Sequence, residues 1–357
     1  MAYYKSAIRY SMFDEAIPSH LQKERTLPVK TPPNHQPPFP AYVARFSQDA
    51  PGFVLAVIGA QFPGTSVPDN AFRTKLESFL LSECPSVVEW ASSSDSKGLY
   101  NIALLAYWSS SAVYDKWLVD SGFWTWWESL DPATQSHGWF LEVFRCPLNR
   151  FETIFSDGNV PEGAAKMWTH FSGPVQEHHY WGAMRDRLPA SQTDELKSAE
   201  FEPDESTRSG RVRVPGRQNL AVIRSGQDWG DTIDEERQLY LTTMQPVLKA
   251  GMDFLHRDGE EVGCISCRYM DIIDPTTFKA DRSRTFGLAY FRDLASLENW
   301  SKNHPSHLKI FGTFSKYASQ LQGNISLRLF HEVFVLSKED QYFEYIGCHP
   351  GTGMSSC

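Results

Sequence analysis

The sequence predicts an α+β protein made of two fused ferredoxin-like repeats forming a dimeric α+β barrel-type fold, and three observations carry that expectation. The first is an internal repeat: Leu55-Ala56-Val57-Ile58 returns as Leu220-Ala221-Val222-Ile223, and Ala106-Tyr107-Trp108 returns as Ala289-Tyr290-Phe291. Trp117 and Trp300 extend the second match at the same offset of 183 residues, and Glu142-Val143-Phe144 then returns as Glu332-Val333-Phe334. Matches that keep their order across two halves point to a duplicated unit. The second observation is that each half reads strand, helix, strand, strand, helix, strand, the order of a split β-α-β unit. The third is size: 357 residues, 41% hydrophobic and 13% aromatic, can bury two such units against each other.

Taken in order, residues 1–48 form an arm. Six prolines stand between Pro28 and Pro40, a composition suited to an extended segment wrapped over a domain. The first repeat spans 49–150, with helices expected over Asp69 to Ser82 and Ala112 to Leu130. A connecting segment, 151–218, follows. Its later part, Asp194 to Arg217, reads as a loop, whereas Tyr180-Trp181-Gly182-Ala183-Met184-Arg185-Asp186-Arg187 mixes aromatics with arginines and suits a pocket mouth. The second repeat spans 219–337, with helices over Asp234 to His256, Leu294 to Lys302 and Pro305 to Leu321, and 338–357 is a tail.

Charge and cysteine usage exclude several classes. The net charge is -9, from 43 acidic and 34 basic residues with no basic block, which argues against nucleic acid or an anionic membrane as partner. Met1 to Ser19 lacks the apolar core of a signal peptide, and no window reaches the roughly 18 apolar residues of a membrane span. A cytoplasmic protein is expected. Cysteines at 84, 146, 264, 267, 348 and 357 are too sparse for a disulfide scaffold. Cys264 and Cys267 form the one C-x-x-C, but no second pair completes a zinc site, and Arg268 breaks the haem-attachment pattern.

Two histidines stand out in the second repeat. Pro305 fits the first turn of a helix, on which His307, Phe311, Phe314, Ala318 and Leu321 recur at steps of three and four. On the next strand Leu327, Leu329, His331, Val333 and Val335 share a face. A single inward histidine is ordinarily a satisfied core residue. Two on adjacent elements call for a polar or metallic partner, because a buried ring without one costs roughly 1–3 kcal/mol. Carried across the repeat, these positions hold Trp124 and Leu141, so the site is expected in the second half. Zinc needs three or four close ligands; haem needs one axial ligand, an apolar sleeve and a polar distal pocket, and fits better. His304 is expected at the helix edge, facing solvent or capping.

The motifs His304-Pro305-Ser306-His307-Leu308-Lys309-Ile310-Phe311, Leu327-Arg328-Leu329-Phe330-His331-Glu332-Val333, Ile223-Arg224-Ser225-Gly226-Gln227-Asp228-Trp229, Tyr180 to Arg187, Phe151-Glu152-Thr153, the Gln36 to Phe46 arm and the Phe343 to Pro350 tail resemble the aldoxime dehydratases over nearly the whole chain from Gln36. The resemblance implies haem b, ferrous in the active form, with His307 as axial iron ligand. It implies catalytic roles for His331, Ser225, Arg187 and Glu152, with Arg185 the competing choice for the arginine. As an activity it implies conversion of R-CH=N-OH to a nitrile and water, with an aldoxime as substrate and an electron donor to keep the iron reduced; assembly stays open, although exposed sheet edges of fused ferredoxin-like units often pair between chains, as in a homodimer. The stretch from His307 to His331 is a few residues longer than the family pattern, through Ser319 to Ser326. The competing readings are a haem peroxidase or chlorite-dismutase-like enzyme, a haem carrier or gas sensor, and a cofactor-free barrel. Without the resemblance, Ser225 is a small core hydroxyl, Glu152 a surface acid or helix cap, and Arg187 half of a surface ion pair.

Overall fold

A computed structural model describes residues 13–64, 70–81, 84–199, 206–208 and 210–356. The readings that fall on 1–12, on the ends of the 69–82 helix, on 200–205 and on Cys357 lie outside them.

Helices and antiparallel sheet make an α+β architecture. Twelve strands form one ladder in the order Phe151–Phe155, Arg328–Leu336, Leu220–Asp228, Ala280–Phe291, Cys264–Ile273, Val87–Ser94, Tyr100–Trp108, Gly52–Phe62, Gly138–Pro147, Gln341–Ile346, Arg211–Val214 and Ser206–Arg208. The four principal strands of each half share one spatial order, fourth, first, third, second. The halves join where Asp271 and Ile272 pair with Ser92 and Ala91.

Among the described residues no closed barrel is seen to complete the barrel-type fold expected from the sequence. Closure would join Arg328–Leu336 to Gly138–Pro147, but the first takes Phe151–Phe155 as its outer neighbour and the second takes Gln341–Ile346. Added strands therefore occupy both edges that closure needs. One of them comes from the segment read as a tail, and Arg211–Val214, read as loop, pairs beyond it. The ladder curls nonetheless. Its inner face buries residues of both halves in one cluster, with Phe144 and Phe334 ring centroids 5.7 Å apart and Phe53 and Phe334 6.0 Å apart.

Side-chain alternation explains why the central strands are almost wholly apolar. On Gly52–Phe62, Leu55 and Val57 enter the inner cluster while Val54, Ala56 and Ile58 meet the outer helices, so both faces are covered. The repeat is also written into the interior hydrogen bonds. Tyr107 donates to Glu332 of the other half at 2.6 Å, and Tyr290, its counterpart at the 183 offset, donates to Glu142. Each half thus satisfies the buried carboxylate of the other.

The outer layers differ, and that difference makes the site. Outside the first half, Trp108, Trp117, Phe123 and Trp127 fill the space between sheet and helices, and Trp117 stacks on Phe123 at 4.8 Å. The expected Ala112 to Leu130 helix is broken into Ser111–Asp120 and Phe123–Ser129 at Gly122, whose φ of 75° suits glycine. Outside the second half, the helix Pro305–Gln320 buries only Tyr317 fully, and its His307, Phe311 and Phe314 look instead into a cavity. The other wall helix runs Asp234–Leu239, then a π turn over Tyr240–Met244, then Gln245–Asp258. Pro246 has no N–H to return to the preceding turn, a standard cause of such a register change. Tyr240 and Met244 on that turn line the cavity.

Candidate active site

The cavity encloses about 910 Å³ between the outer face of the second-half sheet and these helices, toward the upper end of what small-molecule and cofactor sites occupy, roughly 300–1,000 Å³. Its floor is set by strand register. His331, Ser225 and Gly287 are consecutive partners across three strands, and Ile223 and Ala289 form the next row along the same face. Side chains this small leave a flat seat. A Cβ built on Gly287 would come within 2.8 Å of the Met252 sulfur.

His307 stands on the helix wall. Pro305 occupies the first turn, and the His304 side chain accepts from the Ser306 backbone N–H, so His304 caps the helix. The His307 ring lies edge-on to Trp300 with centroids 4.8 Å apart, and Trp181 is 6.0 Å away. Burial lowers its pKa from 6.5 to about 4, the Ser301 backbone acting in the opposite sense. The ring is therefore neutral at neutral pH and keeps a lone pair for a metal. Its Nδ1 is buried and makes no hydrogen bond of ordinary geometry within the described residues.

His331 stands on the sheet wall within a polar cluster. Arg187 donates through Nε to Glu152 Oε2 at 2.6 Å and through Nη2 to Glu152 Oε1 at 3.1 Å. The same Nη2 lies 2.9 Å from His331 Nε2, and Glu152 Oε1 lies 3.2 Å from that nitrogen. Burial alone would raise the Glu152 pKa, but Arg187 and His331 outweigh it and hold the carboxyl below its usual range. Strand pairing delivers two members, because Glu152 is opposite Val333 and Ile154 is opposite His331. The short helix Ala183–Arg187 delivers the third. Arg185 on that helix turns away and pairs with Glu298 through Nη2 at 2.9 Å.

Four of the five sequence candidates therefore line one cavity, Arg187, His331, Ser225 directly across the ladder from His331, and His307 on the helix, while Glu152 stands behind them bonded to Arg187 and His331. The arm contributes Phe39 and His35 to the lining, and the Tyr180 to Arg187 stretch contributes Trp181 and Met184. Among the described residues no group of three His, Cys, Asp or Glu side chains could hold a bare metal ion. One neutral buried imidazole at an apolar cavity with a flat floor fits a planar cofactor that brings its own four ligands to iron. The residues present fit haem.

Sequence reading missed the ionic layer behind this wall. Arg224 and Glu332, the neighbours of Ser225 and His331, point to the opposite face and are opposite each other in the ladder. Arg224 is fully buried, bonded to Glu89 and donating to Tyr107 Oη at 3.0 Å, while Glu332 accepts from the Ala164 N–H at 2.8 Å. The signal was available: a charged residue beside each candidate, at a position that alternation assigns to the interior.

A family model described as haem-containing dehydratase matches residues 56–354. The chain is 38% identical over 348 residues to an aliphatic aldoxime dehydratase of Pseudomonas chlororaphis, covering 96% of this chain and 97% of that one. It is 31% identical over 331 residues to a phenylacetaldoxime dehydratase of a Bacillus species, covering 90% and 92%. A crystal structure of an aldoxime dehydratase superposes with a TM-score of 0.90 at 38% identity, covering 96% of this chain and 98% of the other. A second, of an aldoxime dehydratase in complex with butyraldoxime, gives 0.88 at 37% identity and 96% of each chain.

Proposed function

The chain belongs to the haem-containing dehydratases, and from that premise we propose that it converts aldoximes, R-CH=N-OH, to nitriles and water, with haem b held by His307. The carrying observation is one cavity with a neutral, buried histidine on its helix wall and a histidine, arginine and glutamate cluster on its sheet wall. Haem there supplies an iron centre to which the oxime nitrogen can bind.

The elimination takes hydroxide from nitrogen and a proton from carbon, so it needs an acid and then a base but no net oxidant. His331 serves both needs. A ring proton is given to the leaving hydroxyl, and the emptied nitrogen then takes the proton from carbon. Ser225, directly across the ladder, orients the hydroxyl. Arg187 and Glu152 are positioning residues: the guanidinium fixes the carboxylate, and both hold the imidazole in place. Removing one aimed donor costs about 10²–10³ in rate. Ser225→Ala is expected to lower kcat by about that factor with haem content unchanged, and a kcat within twofold of wild type would remove Ser225 from the reaction.

A pH dependence follows from His307. A ring with a folded pKa of about 4 stays unprotonated above that pH, whereas in the unfolded chain it takes up a proton near 6.5. Acidification from about 6.5 toward 4 therefore favours the unfolded form. Soret absorbance followed against pH should stay level through the neutral range. Release of haem already at pH 6.5 would contradict the assignment.

The same reading includes an electron donor that keeps iron ferrous, pairing of chains into a homodimer and a cytoplasmic location. It treats 49–150 and 219–337 as ferredoxin-like repeats, with the arm at 1–48, the connecting segment at 151–218 and the tail at 338–357. The common strand order and the reciprocal tyrosine to glutamate bonds support that partition. The test is a visible spectrum before and after dithionite, followed by alkyl and aryl aldoximes with chromatographic detection of nitrile. Haem-loaded, reduced protein that yields no nitrile from either class would overturn the proposal.

A further inference from the structure

The cavity ends at a wall one side chain thick. Leu248, Met252 and Leu255 stand at steps of four and three on the helix Gln245–Asp258 and face the cavity. Met252 and Leu255 also line a second, polar cleft of about 1510 Å³, to which Lys249, Asp253, Tyr269 and Asp271 contribute. The helix is fixed against both walls of the cavity. A Cβ on Gly251 would meet Ile310 of the helix Pro305–Gln320 at 2.7 Å, and one on Gly287 would meet the Met252 sulfur at 2.8 Å. Met252, 9% exposed, is therefore pressed onto the sheet.

Strand register shows what lies on either side of that residue. One row of the outer sheet face runs Ile154, His331, Ser225, Gly287, Tyr269. Its first part is polar, with Arg187 and Glu152 bonded to His331. Its last member, Tyr269, lines the second cleft, with its hydroxyl 3.0 Å from Thr285 Oγ1. Gly287 lies between them, about 5 Å from Ser225 at the usual spacing of antiparallel partners, and Met252 covers it. The rows beside Gly287 carry side chains: Ile223 and Ala289 on one side, and on the other Gln227 and Thr285, joined by a hydrogen bond of 3.1 Å. The bare backbone of Gly287 is thus the bottom of a short trough that starts at Ser225 and stops at Met252.

An aldoxime has a polar head and an R group, and the two ends of the row suit them differently. On the dehydratase reading, from which this inference starts, the hydroxyl lies at Ser225 and His331. An apolar R group gains by leaving water, and at the Arg187 end it would bury charged groups away from their partners. The trough over Gly287 offers it apolar walls and no charge. We infer that Met252 is a specificity-determining residue: it closes the trough and sets the longest R group that the site houses. Beyond it lies the second cleft, so a shorter side chain at 252 opens room for a longer alkyl chain, and a bulkier one removes room.

The test is the ratio of kcat/KM for octanal oxime to that for butyraldoxime in haem-loaded, reduced wild type, Met252→Ala, Met252→Leu and Met252→Phe. Wild-type haem content and nitrile formation are measured first, so failure of the dehydratase reading appears there, apart from any effect at 252. Met252→Ala should raise the ratio by about tenfold or more, since one methylene that a pocket does not house changes kcat/KM by about 10–200-fold. Met252→Phe should lower it, and Met252→Leu, of similar volume, should leave it near the wild-type value. Dissociation constants of the two oximes, read from the Soret shift, should move in the same order without reference to turnover. A ratio within about twofold of wild type, in whichever of Met252→Ala and Met252→Phe holds haem, would overturn the inference. So would loss of haem from both, which would make Met252 a support for the cofactor.

Discussion

Replacing His307 with alanine is expected to give a folded protein that holds no haem and forms no nitrile above background. The expectation rests on how little else depends on this ring. The helix keeps its start at Pro305 and its His304 cap, and Trp300 keeps its bond to Ser306 at 3.2 Å. Removing an imidazole that borders a cavity leaves no new void in a close-packed core, so the large-to-small penalty is small here. What disappears is the one neutral nitrogen base on the helix wall. Absorbance at the Soret band after reconstitution with haemin, set beside circular dichroism, separates cofactor loss from unfolding. A full Soret band with unchanged position in His307→Ala would place the axial ligand elsewhere. Added imidazole should restore part of the band, since it returns the missing base to a cavity that still exists.

The second large effect is the converse. His331→Ala should keep haem and fall in turnover by about 10²–10⁴, the range for loss of a positioned general acid and base. The fold should tolerate it, because Arg187 and Glu152 satisfy each other without the histidine, at 2.6 and 3.1 Å. Changing either of those two is a poorer experiment: it strands a buried charge, at a cost of about 3–5 kcal/mol in stability, and confuses folding with chemistry. Rapid-mixing spectra of His331→Ala should still show the aldoxime binding. A turnover within a few-fold of wild type would remove the proton transfers from His331 and leave the cluster without a catalytic member.

Much of this site could be read from the chain because its signals are local. Pro305 marks a helix start, the step from His307 to Phe311 and Phe314 marks a face, and alternation from Leu327 to Val335 marks another. The difference between the repeats, histidine against Trp124 and Leu141, pointed to the second half. The structure gives the physical counterpart: aromatic side chains fill the first-half layer, whereas those of the second half line a cavity. Less legible were the strand edges. Gln341–Ile346 and Arg211–Val214 carry too little pattern to announce that they extend the sheet, and their pairing is what keeps the ladder from closing. The turn at His178 and His179 was invisible for a similar reason, since nothing in Glu177-His178-His179 says that both rings line the cavity until His179 is seen with its positive φ.

By itself the sequence supplied the expectation of a duplicated architecture, of the half in which to seek the site and of the residue types available there, because each of these depends on periodicity and on comparison of one half with the other. Only the tertiary structure decided that Glu152 and Arg187 meet His331, that Arg185 does not, and that the arm brings His35 and Phe39 to the cavity. Those are contacts between residues 35 to 179 positions apart or more, or a choice between neighbours on one short helix. No local pattern encodes such meetings; they are set when the sheet curls and the connecting segment folds across its face.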